Sequence, residues 1–257
     1  MNAAIVQNSL WSDKHGLLIL KASGFAETYR AGRMCMLSVT GQSLICDPLL
    51  RRPFAPYDTD ISENTLSVIY TVCGRGTLLL SQQPVGTALS LSLPQGKPFT
   101  VLKNSKAALI AGGAGIGPMH FLAKTLYKNG CDVTVFYGAR TAGELYPPLR
   151  KTPSPYRWVL CTEDGSLGYK GVVTTFFAEE VASFDICYAC GPKPMMQTVQ
   201  TLCAGNNKPL ELSLEETMAC GIGVCSGCMV KISDNGVEKM KRCCAEGPVF
   251  NGNSVIW

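Results

Sequence analysis

Residues 107–118 read AALIAGGAGIGP, an apolar run of five residues that passes directly into a glycine-rich turn. The run has the composition of a buried strand, and the residues after Pro118 have helical spacing, so the stretch predicts strand, turn and helix. Glycines in such a turn let a dinucleotide pyrophosphate approach the backbone amides at the helix N-terminus. We expect Gly113, Gly115 and Gly117 to lie at a dinucleotide site, and a plain strand-to-helix connection is the alternative.

The same alternation of periods continues along the chain. Further strand runs occur at 132–137, 158–160 and 185–189, and helical spacing occurs at 119–128, 173–182 and 195–204. Strands that alternate with helices in this way form parallel sheets with helices on their faces. The sequence therefore predicts a doubly wound parallel-sheet domain, the nucleotide-binding α/β domain, over residues 101–210.

The first hundred residues have a different pattern. Short β runs at 16–21, 34–39, 66–72 and 88–93 are separated by turn residues, and polar and apolar side chains alternate within them. This pattern is typical of an antiparallel barrel or sandwich. We expect an N-terminal antiparallel β-barrel over residues 1–100.

The cysteines fall into two groups. Eight of the 13 are scattered singly in apolar surroundings, where a free cysteine is usually a small core residue. The other five crowd into 25 positions, and three of them form the loop CGIGVCSGC at 220–228. A C-x4-C-x2-C loop followed by a later cysteine is the arrangement of plant-type [2Fe-2S] ligation, so Cys220, Cys225 and Cys228 are three expected ligands.

The fourth ligand is open between Cys243 and Cys244. Adjacent side chains of an extended segment point in opposite directions, so only one of the two can reach the cluster. A zinc site with four cysteines is the alternative to the cluster, although zinc ribbons usually pair two short C-x2-C knuckles.

The segment 211–257 is expected to form a small [2Fe-2S] domain that ends in a hairpin with its turn at Asp234-Asn235-Gly236. It is too short to hold itself together by apolar burial alone, so we expect loss of the cluster to disorder it.

A second cofactor is indicated in the β region. Arg51-Arg52-Pro53-Phe54 is followed by Gly74-Arg-Gly-Thr77, which opens a short helical run. An arginine can bind a flavin pyrophosphate through two hydrogen bonds, and amides at a helix start add donors. Because an Arg pair before proline is also common in solvated turns, the flavin interpretation depends on the nucleotide-binding domain that follows.

The segment Cys190-Gly191-Pro192 ends another predicted strand. Ligands bind at the carboxyl edge of parallel sheets, so Cys190 is expected to face a nicotinamide, with a buried core thiol as the alternative. The choice between NAD and NADP stays open, because neither a ribose-binding acid nor a 2′-phosphate cluster stands out.

Composition excludes several classes of protein. The net charge of +4 comes from dispersed side chains without the basic stripe that nucleic acids require. The most apolar stretch, near 107–116, is well short of the roughly 20 residues of a membrane span, and the first 20 residues lack a signal-like block. A cytoplasmic protein without a nucleic-acid partner or a membrane span is expected.

The order of these motifs, with the ending CAEGPVF at 244–250, resembles the electron-transfer subunits of the two-subunit, NAD-linked dihydroorotate dehydrogenases over nearly the whole chain. The resemblance implies a ferredoxin reductase-like flavoprotein with FAD, NAD(H) and a [2Fe-2S] cluster, and it favours Cys244 as the fourth ligand. The FAD contacts that it implies are Arg52, Pro53, Phe54, Ala55, Ile69, Tyr70, Thr71, Gly76 and Thr77. For NAD(H), the glycine-rich turn and the Cys190-Gly191-Pro192 segment predict contacts from Gly113, Gly115, Gly117, Cys190 and Gly191.

The chain departs from the family pattern at Ala55, where the pattern has Ser or Thr, so a hydroxyl contact to the flavin is missing. The resemblance further implies that dihydroorotate is oxidised on an FMN-containing catalytic subunit in a two plus two heterotetramer for pyrimidine synthesis, and that this chain alone is a diaphorase. The alternatives are a subunit of an NAD(P)H:ferredoxin or sulfide-linked oxidoreductase and, outside enzymes, a zinc-stabilised binding module.

Overall fold

A computed structural model describes residues 1–41, 47–148 and 154–257 of the chain. Its N-terminal strands and one short helix follow each other in the order β1 (Asn2–Leu10), β2 (His15–Lys21), β3 (Cys35–Leu37), β4 (Arg52–Phe54), β5 (Pro56–Asp60), β6 (Thr65–Thr71), α1 (Arg75–Ser81) and β7 (Ala88–Ser90).

These strands close into the expected antiparallel barrel. Five of them form a sheet in the order β5-β6-β2-β1-β7, and β3 pairs with β4. Ser38 N donates to Ser90 O (2.9 Å) and Ser92 N donates to Met36 O (2.9 Å), which joins β7 to β3. The circle is completed because only Ala55 separates β4 from β5. Apolar side chains from both sheets, such as Leu18, Leu37 and Val68, form one interior core.

The central region is the expected α/β domain. Its elements are β8 (Lys106–Gly112), α2 (Ile116–Lys128), β9 (Asp132–Ala139), β10 (Arg157–Thr162), β11 (Tyr169–Lys170), α3 (Val173–Glu180), β12 (Ile186–Cys190), α4 (Lys193–Gly205) and β13 (Leu210–Ser213). Single 3-10 turns occur at Ala26–Thr28, Gly113–Gly115, Val181–Ser183 and Gly252–Ser254.

Helices cover both faces of the parallel sheet, so the side chains of its central strand β8 are buried on both faces. In β8, Leu109 belongs to the core that contains Leu122 of α2. Its neighbour Ile110 belongs to the core that contains Phe177 of α3 and Val199 of α4. Successive side chains of a strand point to opposite faces, so the continuous apolar run is the signature of this doubly wound packing.

The C-terminal elements are β14 (Met229–Asp234), β15 (Val237–Arg242), the single helical turn α5 (Cys243–Glu246), β16 (Val249–Asn251) and β17 (Val255–Ile256). The expected hairpin is present, since β14 pairs with β15 around Asn235 and Gly236, both of which have positive φ.

The C-terminal segment is not a separate body that only a cluster holds. The sheet order is β11-β10-β9-β8-β12-β13-β16, so β16 pairs antiparallel with β13 and extends the central sheet. Met218, Ile232 and Phe250 share the buried core of α3 and α4. The expected boundary at residue 210 therefore coincides with the start of β13, which lies inside the sheet, and the segment after the cysteine loop has contacts to the rest of the chain that do not involve the cluster.

Most of the scattered cysteines are core residues, as expected. Cys35, Cys131, Cys161, Cys187, Cys190 and Cys203 are buried, whereas Cys73 is exposed and Cys46 lies outside the described residues. Across the described ranges, none of the helices combines the length and the apolar character needed to cross a membrane.

Candidate functional site

The glycine-rich turn packs directly against the end of β12. A Cβ atom on Gly115 would lie 2.2 Å from the carbonyl oxygen of Cys190, so only glycine fits there. Gly113 has φ of +54° and faces open space, which leaves its backbone free to approach a ligand. Gly117 is buried, and the backbone oxygen of Ala55 lies 3.7 Å from the position of its absent Cβ. The three glycines therefore have different geometric roles.

A cavity of about 910 Å³ opens above this turn, at the carboxyl ends of the parallel strands. Gly113, Gly115 and Gly191 all contribute to its wall. Several cationic side chains line the same cavity: Lys14, Arg140, Lys193 and Lys231. Backbone amides next to basic side chains suit the two phosphates of a dinucleotide.

His15 also lines this cavity, although its sequence context gave no sign of a site. It stacks on Trp11 and contacts the Ser12 hydroxyl at 2.9 Å through Nδ1. Burial lowers its pKa, so the ring is neutral at pH 7.

A second cavity, of about 480 Å³, lies between the barrel and the parallel sheet. Seven of the nine residues expected at FAD line it, together with Cys190: Pro53, Phe54, Ala55, Ile69, Tyr70, Thr71 and Thr77. Its wall thus combines apolar side chains with hydroxyl groups, which suits a flat aromatic ring with polar edges.

Arg52 and Gly76 lie beside this cavity and contact each other. A Cβ on Gly76 would be 2.8 Å from Arg52 Nε, so the missing side chain lets the guanidinium rest against the start of α1. Arg52 donates to the carbonyl of Leu50, whereas the neighbouring Arg51 bonds the Ser90 hydroxyl at 2.7 Å. The two arginines therefore have different surroundings, and of the two Arg52 contacts the start of α1, next to the cavity residue Thr77.

The segment that follows β13 forms one wall of the second cavity. No motif in the sequence indicated that this segment would line a site. Residues 213–218 all line the cavity, and they include two carboxylates, Glu215 and Glu216. The available signal was topological, since β13 ends at the carboxyl edge of the sheet, where ligands bind.

The two cavities share part of their walls. Thr71, Cys73, Ala114, Leu214, Glu215 and Glu216 line both. From Glu216 the chain needs only three further residues to reach Cys220. The two cavities and the cysteine loop therefore meet along one short segment.

The sulfur atoms of the loop make two close pairs. The Cys220 thiol interacts with that of Cys225, and the Cys244 thiol interacts with that of Cys228. In the part of the chain that the structure describes, no three potential ligands crowd around the position of one metal ion. Two pairs of thiols match a two-iron cluster, in which each iron takes two protein ligands.

Backbone amides converge on these sulfur atoms. Ile222 N and Cys225 N each lie 3.5 Å from Cys220 Sγ, and Gly223 N donates to Cys244 Sγ at 3.1 Å. Hydrogen bonds from the amides of Cys225, Ile222 and Val224 lower the pKa of Cys220 to about 6, so its thiol is ionised at neutral pH. The donor set therefore fits a group that needs thiolate ligands.

Cys243 and Cys244 lie in the helical turn α5, not in the extended segment that we expected. Neighbouring side chains of a helix are about 100° apart, so the two thiols still diverge. Cys243 Sγ donates to the carbonyl of Leu214 at 3.4 Å, whereas Cys244 Sγ faces Gly223 and Cys228. Burial raises the pKa of Cys243, as expected for a neutral core thiol.

Comparison with known proteins gives two family matches. A model described as the iron-sulfur cluster binding domain of dihydroorotate dehydrogenase B matches residues 215–256, and one described as an oxidoreductase NAD-binding domain matches residues 109–201. The chain is 40% identical to a dihydroorotate dehydrogenase B (NAD(+)) electron transfer subunit from Desulforamulus reducens, with 82% of each chain covered. It is 38% identical to an electron transfer subunit homolog from Aquifex aeolicus, with 100% of this chain and 98% of the relative covered.

Among solved structures, a chain of the NADH-dependent reduced ferredoxin-NADP oxidoreductase, reported for flavin-based electron bifurcation, superposes with a TM-score of 0.85. It is 28% identical, and the match covers 99% of this chain and 90% of that one. The ferredoxin reductase of carbazole 1,9a-dioxygenase has the same fold, with a TM-score of 0.70 at 20% identity over 82% of this chain and 68% of that one.

Proposed function

We propose, from the premise that this chain belongs to the family of dihydroorotate dehydrogenase B electron transfer subunits, that it moves electrons between NAD(H) and a separate catalytic subunit. It is an oxidoreductase subunit, and its cofactors are FAD, a [2Fe-2S] cluster and NAD(H). The electrons that it carries to NAD come from the oxidation of dihydroorotate in pyrimidine synthesis.

FAD occupies the cavity of about 480 Å³ in this proposal. Its ring lies against Pro53, Phe54, Ala55, Ile69 and Tyr70, and Thr71 and Thr77 supply hydroxyl groups. Arg52, held against Gly76, has room to turn its guanidinium to the pyrophosphate.

NAD(H) enters the cavity of about 910 Å³. Its pyrophosphate lies above Gly113, with Gly191 packed beside Gly112 of the same turn, and Gly115 acts by holding the glycine-rich turn against Cys190. Gly117 serves the contact between the two domains rather than the coenzyme. Cys190 lines the flavin cavity and so borders the place where the nicotinamide meets FAD.

The cluster is held by Cys220 and Cys225 on one iron and by Cys228 and Cys244 on the other. The two thiol pairs and the amides that point at their sulfur atoms support this assignment. Cys243, bonded to the Leu214 carbonyl, is not a ligand.

One observation carries the proposal: the two cavities share a wall, and that wall continues into the cluster loop. A nicotinamide exchanges two electrons as a hydride, whereas an iron-sulfur cluster takes one electron at a time, and the flavin supplies the conversion. The protein holds the nicotinamide, the flavin and the cluster next to one another in that order. The shared segment 214–216 and the adjoining cysteine loop provide this arrangement.

The partner is an FMN-containing catalytic subunit, two copies of each subunit form a heterotetramer, and the complex is cytoplasmic. Alone, the chain oxidises NADH with artificial acceptors.

The chain divides into residues 1–100 for the FAD barrel, 101–210 for the NAD domain and 211–257 for the cluster segment. The strand β13 crosses the last boundary and belongs to the parallel sheet.

A second candidate is a subunit of a ferredoxin-linked, NADP-using oxidoreductase, which the 28% identical solved chain favours. The two candidates differ in the partner and in the final acceptor. The Arg-Pro-Phe motif and the four cysteine ligands fit the dihydroorotate branch better.

The test is purification of the native complex. We expect flavin absorbance and a red-shifted cluster band in this chain, an FMN subunit that co-purifies, and NAD reduction on addition of dihydroorotate. A colourless protein that contains zinc would contradict the whole proposal. A coloured complex that reduces ferredoxin or NADP, and does not respond to dihydroorotate, would assign the second candidate.

A further inference from the structure

Glu215 lies at the junction of the three sites. It follows Leu214 at the end of β13, lines both cavities, and precedes Cys220 by five residues. Glu215 is exposed where the two cavities meet, and in the described ranges its carboxylate has no hydrogen-bond or salt-bridge partner. Its charge acts on the thiol of Cys190 in the wall of the smaller cavity, so the carboxylate lies close to a group bound there.

The proposed reaction releases a proton at this junction. A hydride from NADH brings two electrons and one proton to the flavin, and the cluster removes the electrons singly without a proton. For each NADH that is oxidised, the cluster therefore receives two electrons, one at a time, and one proton is left at the flavin. That proton must go to a base.

Few other groups at the flavin cavity can accept that proton. The Tyr70 hydroxyl donates to Asn8 Oδ1 at 2.9 Å, and burial raises its pKa to about 12. Cys190 is buried, and its pKa is raised by burial and by the charge of Glu215. Cys73 and Glu216 are the remaining titratable groups of the wall.

The environment of Glu215 favours its protonated form more than bulk water does. Surrounding protein raises its pKa, since burial disfavours the charged carboxylate. Several charged or titratable groups line the larger cavity together with it: Lys14, His15, Cys73, Arg140, Glu144, Lys193, Glu216 and Lys231. Behind it, Cys243 lies close enough to respond to its charge.

We propose that Glu215 accepts the proton that leaves the flavin as electrons pass to the cluster, and returns it when electrons flow toward NAD. This inference rests on the proposed function, because it requires FAD in the smaller cavity. The hydride itself needs no base on arrival, so Glu215 acts on the transfer to the cluster and not on the reduction of FAD by NADH.

The experiment compares the wild-type holoprotein with Glu215→Gln after anaerobic mixing with NADH. FAD bleaching is followed by absorbance, and cluster reduction is followed by freeze-quench electron paramagnetic resonance. We expect bleaching rates within about twofold of each other and cluster reduction slowed on the order of 100-fold, as for loss of a general base. The wild-type cluster rate should rise with pH through the pKa of Glu215 and then level off, whereas the variant's rate should not change with pH.

An equilibrium measurement gives a second readout. The midpoint potential of FAD, plotted against pH, should bend at the pKa of Glu215 in the wild type, and Glu215→Gln should lose that bend while it keeps the bend of the flavin's own ionisation. Glu216→Gln changes the neighbouring carboxylate of the same cavities, and it tests which of the two carboxylates causes the bend. Glu215→Asp should recover part of the cluster rate.

Equal cluster rates and equal potential profiles in wild type and Glu215→Gln would overturn the inference, as would a change that follows Glu216→Gln instead. If Glu215→Gln loses FAD, the test uses the wild-type holoprotein, in which the rate of cluster reduction is compared in water and in deuterium oxide. Equal rates in the two solvents would overturn the inference. Failure of the wild-type chain to bind FAD or a cluster would count against the proposed function itself.

Discussion

At the residue scale, the two adjacent cysteines have different surroundings. Cys244 Sγ accepts from Gly223 N and lies with Cys228, whereas Cys243 Sγ donates to the Leu214 carbonyl. We expect Cys244→Ala to abolish the cluster absorbance and the reduced-state paramagnetic signal, while NADH oxidation by artificial acceptors at FAD stays within about threefold.

The matched control is Cys243→Ala. It should keep the cluster and lose on the order of 1 kcal/mol in free energy of unfolding, because it removes a small buried side chain. Loss of the cluster in Cys243→Ala alone would reassign the ligand, and an intact cluster in both variants would mean that either thiol can bind iron. If FAD reduction fails together with the cluster in Cys244→Ala, the two sites are not separable.

Arg52 and Arg51 form a second pair of neighbours with different contacts. Only Arg52 lies against Gly76 at the α1 side of the flavin cavity, while Arg51 bonds Ser90. A charge-assisted contact to the pyrophosphate is worth about 1.5 to 3 kcal/mol, so Arg52→Ala should weaken FAD binding about 10- to 100-fold.

FAD retention on dilution, followed by flavin fluorescence, measures this effect. Arg51→Ala should bind FAD about as tightly as the wild type. Equal retention in both variants would place the pyrophosphate elsewhere.

At the scale of elements, the structure limits what the cluster can organise. The pairing of β16 with β13 and the burial of Ile232 and Phe250 do not involve the cluster. The loop 219–228 is different, because its contacts in the described structure are largely amide-to-sulfur bonds and its Cys225, Ile222 and Val224 are exposed.

We therefore expect Cys225→Ser, which removes an exposed thiol that we propose as a cluster ligand, to expose only this loop to proteases. Limited proteolysis with identification of the cut sites should give cleavage within 219–228 and an intact 229–257 fragment that stays associated. Cys73→Ser, another exposed cysteine but outside the loop, is the control and should match the wild type. Cleavage throughout 211–257 would mean that the cluster holds the entire segment.

At the scale of the whole molecule, sequence patterns predicted the parts well. The apolar run at 107–111 had to be a strand buried on both faces, and the glycines after it had to form a tight turn, because both features are local. The C-x4-C-x2-C spacing likewise fixed three thiols on one loop. The strand and helix positions of the α/β domain agree with the structure to within a few residues.

The sequence did not predict how distant segments meet. Glu215 lies in a stretch without a recognisable motif, and it became a junction residue only because β13 ends where the barrel and the sheet form a cavity. The attachment of β16 to β13 was equally invisible, since strand pairing between residues about 40 positions apart leaves no periodic signal.

The sequence by itself therefore determined the three kinds of site, since turn glycines, ligand spacing and hydrophobic period are set by neighbouring residues. Only the tertiary structure decided which thiol of the pair 243–244 faces the loop, which glycines remain free for a ligand, and which carboxylate borders both cavities. Those outcomes depend on packing between segments that are remote in the chain, where the direction of a single side chain is fixed by its non-local contacts.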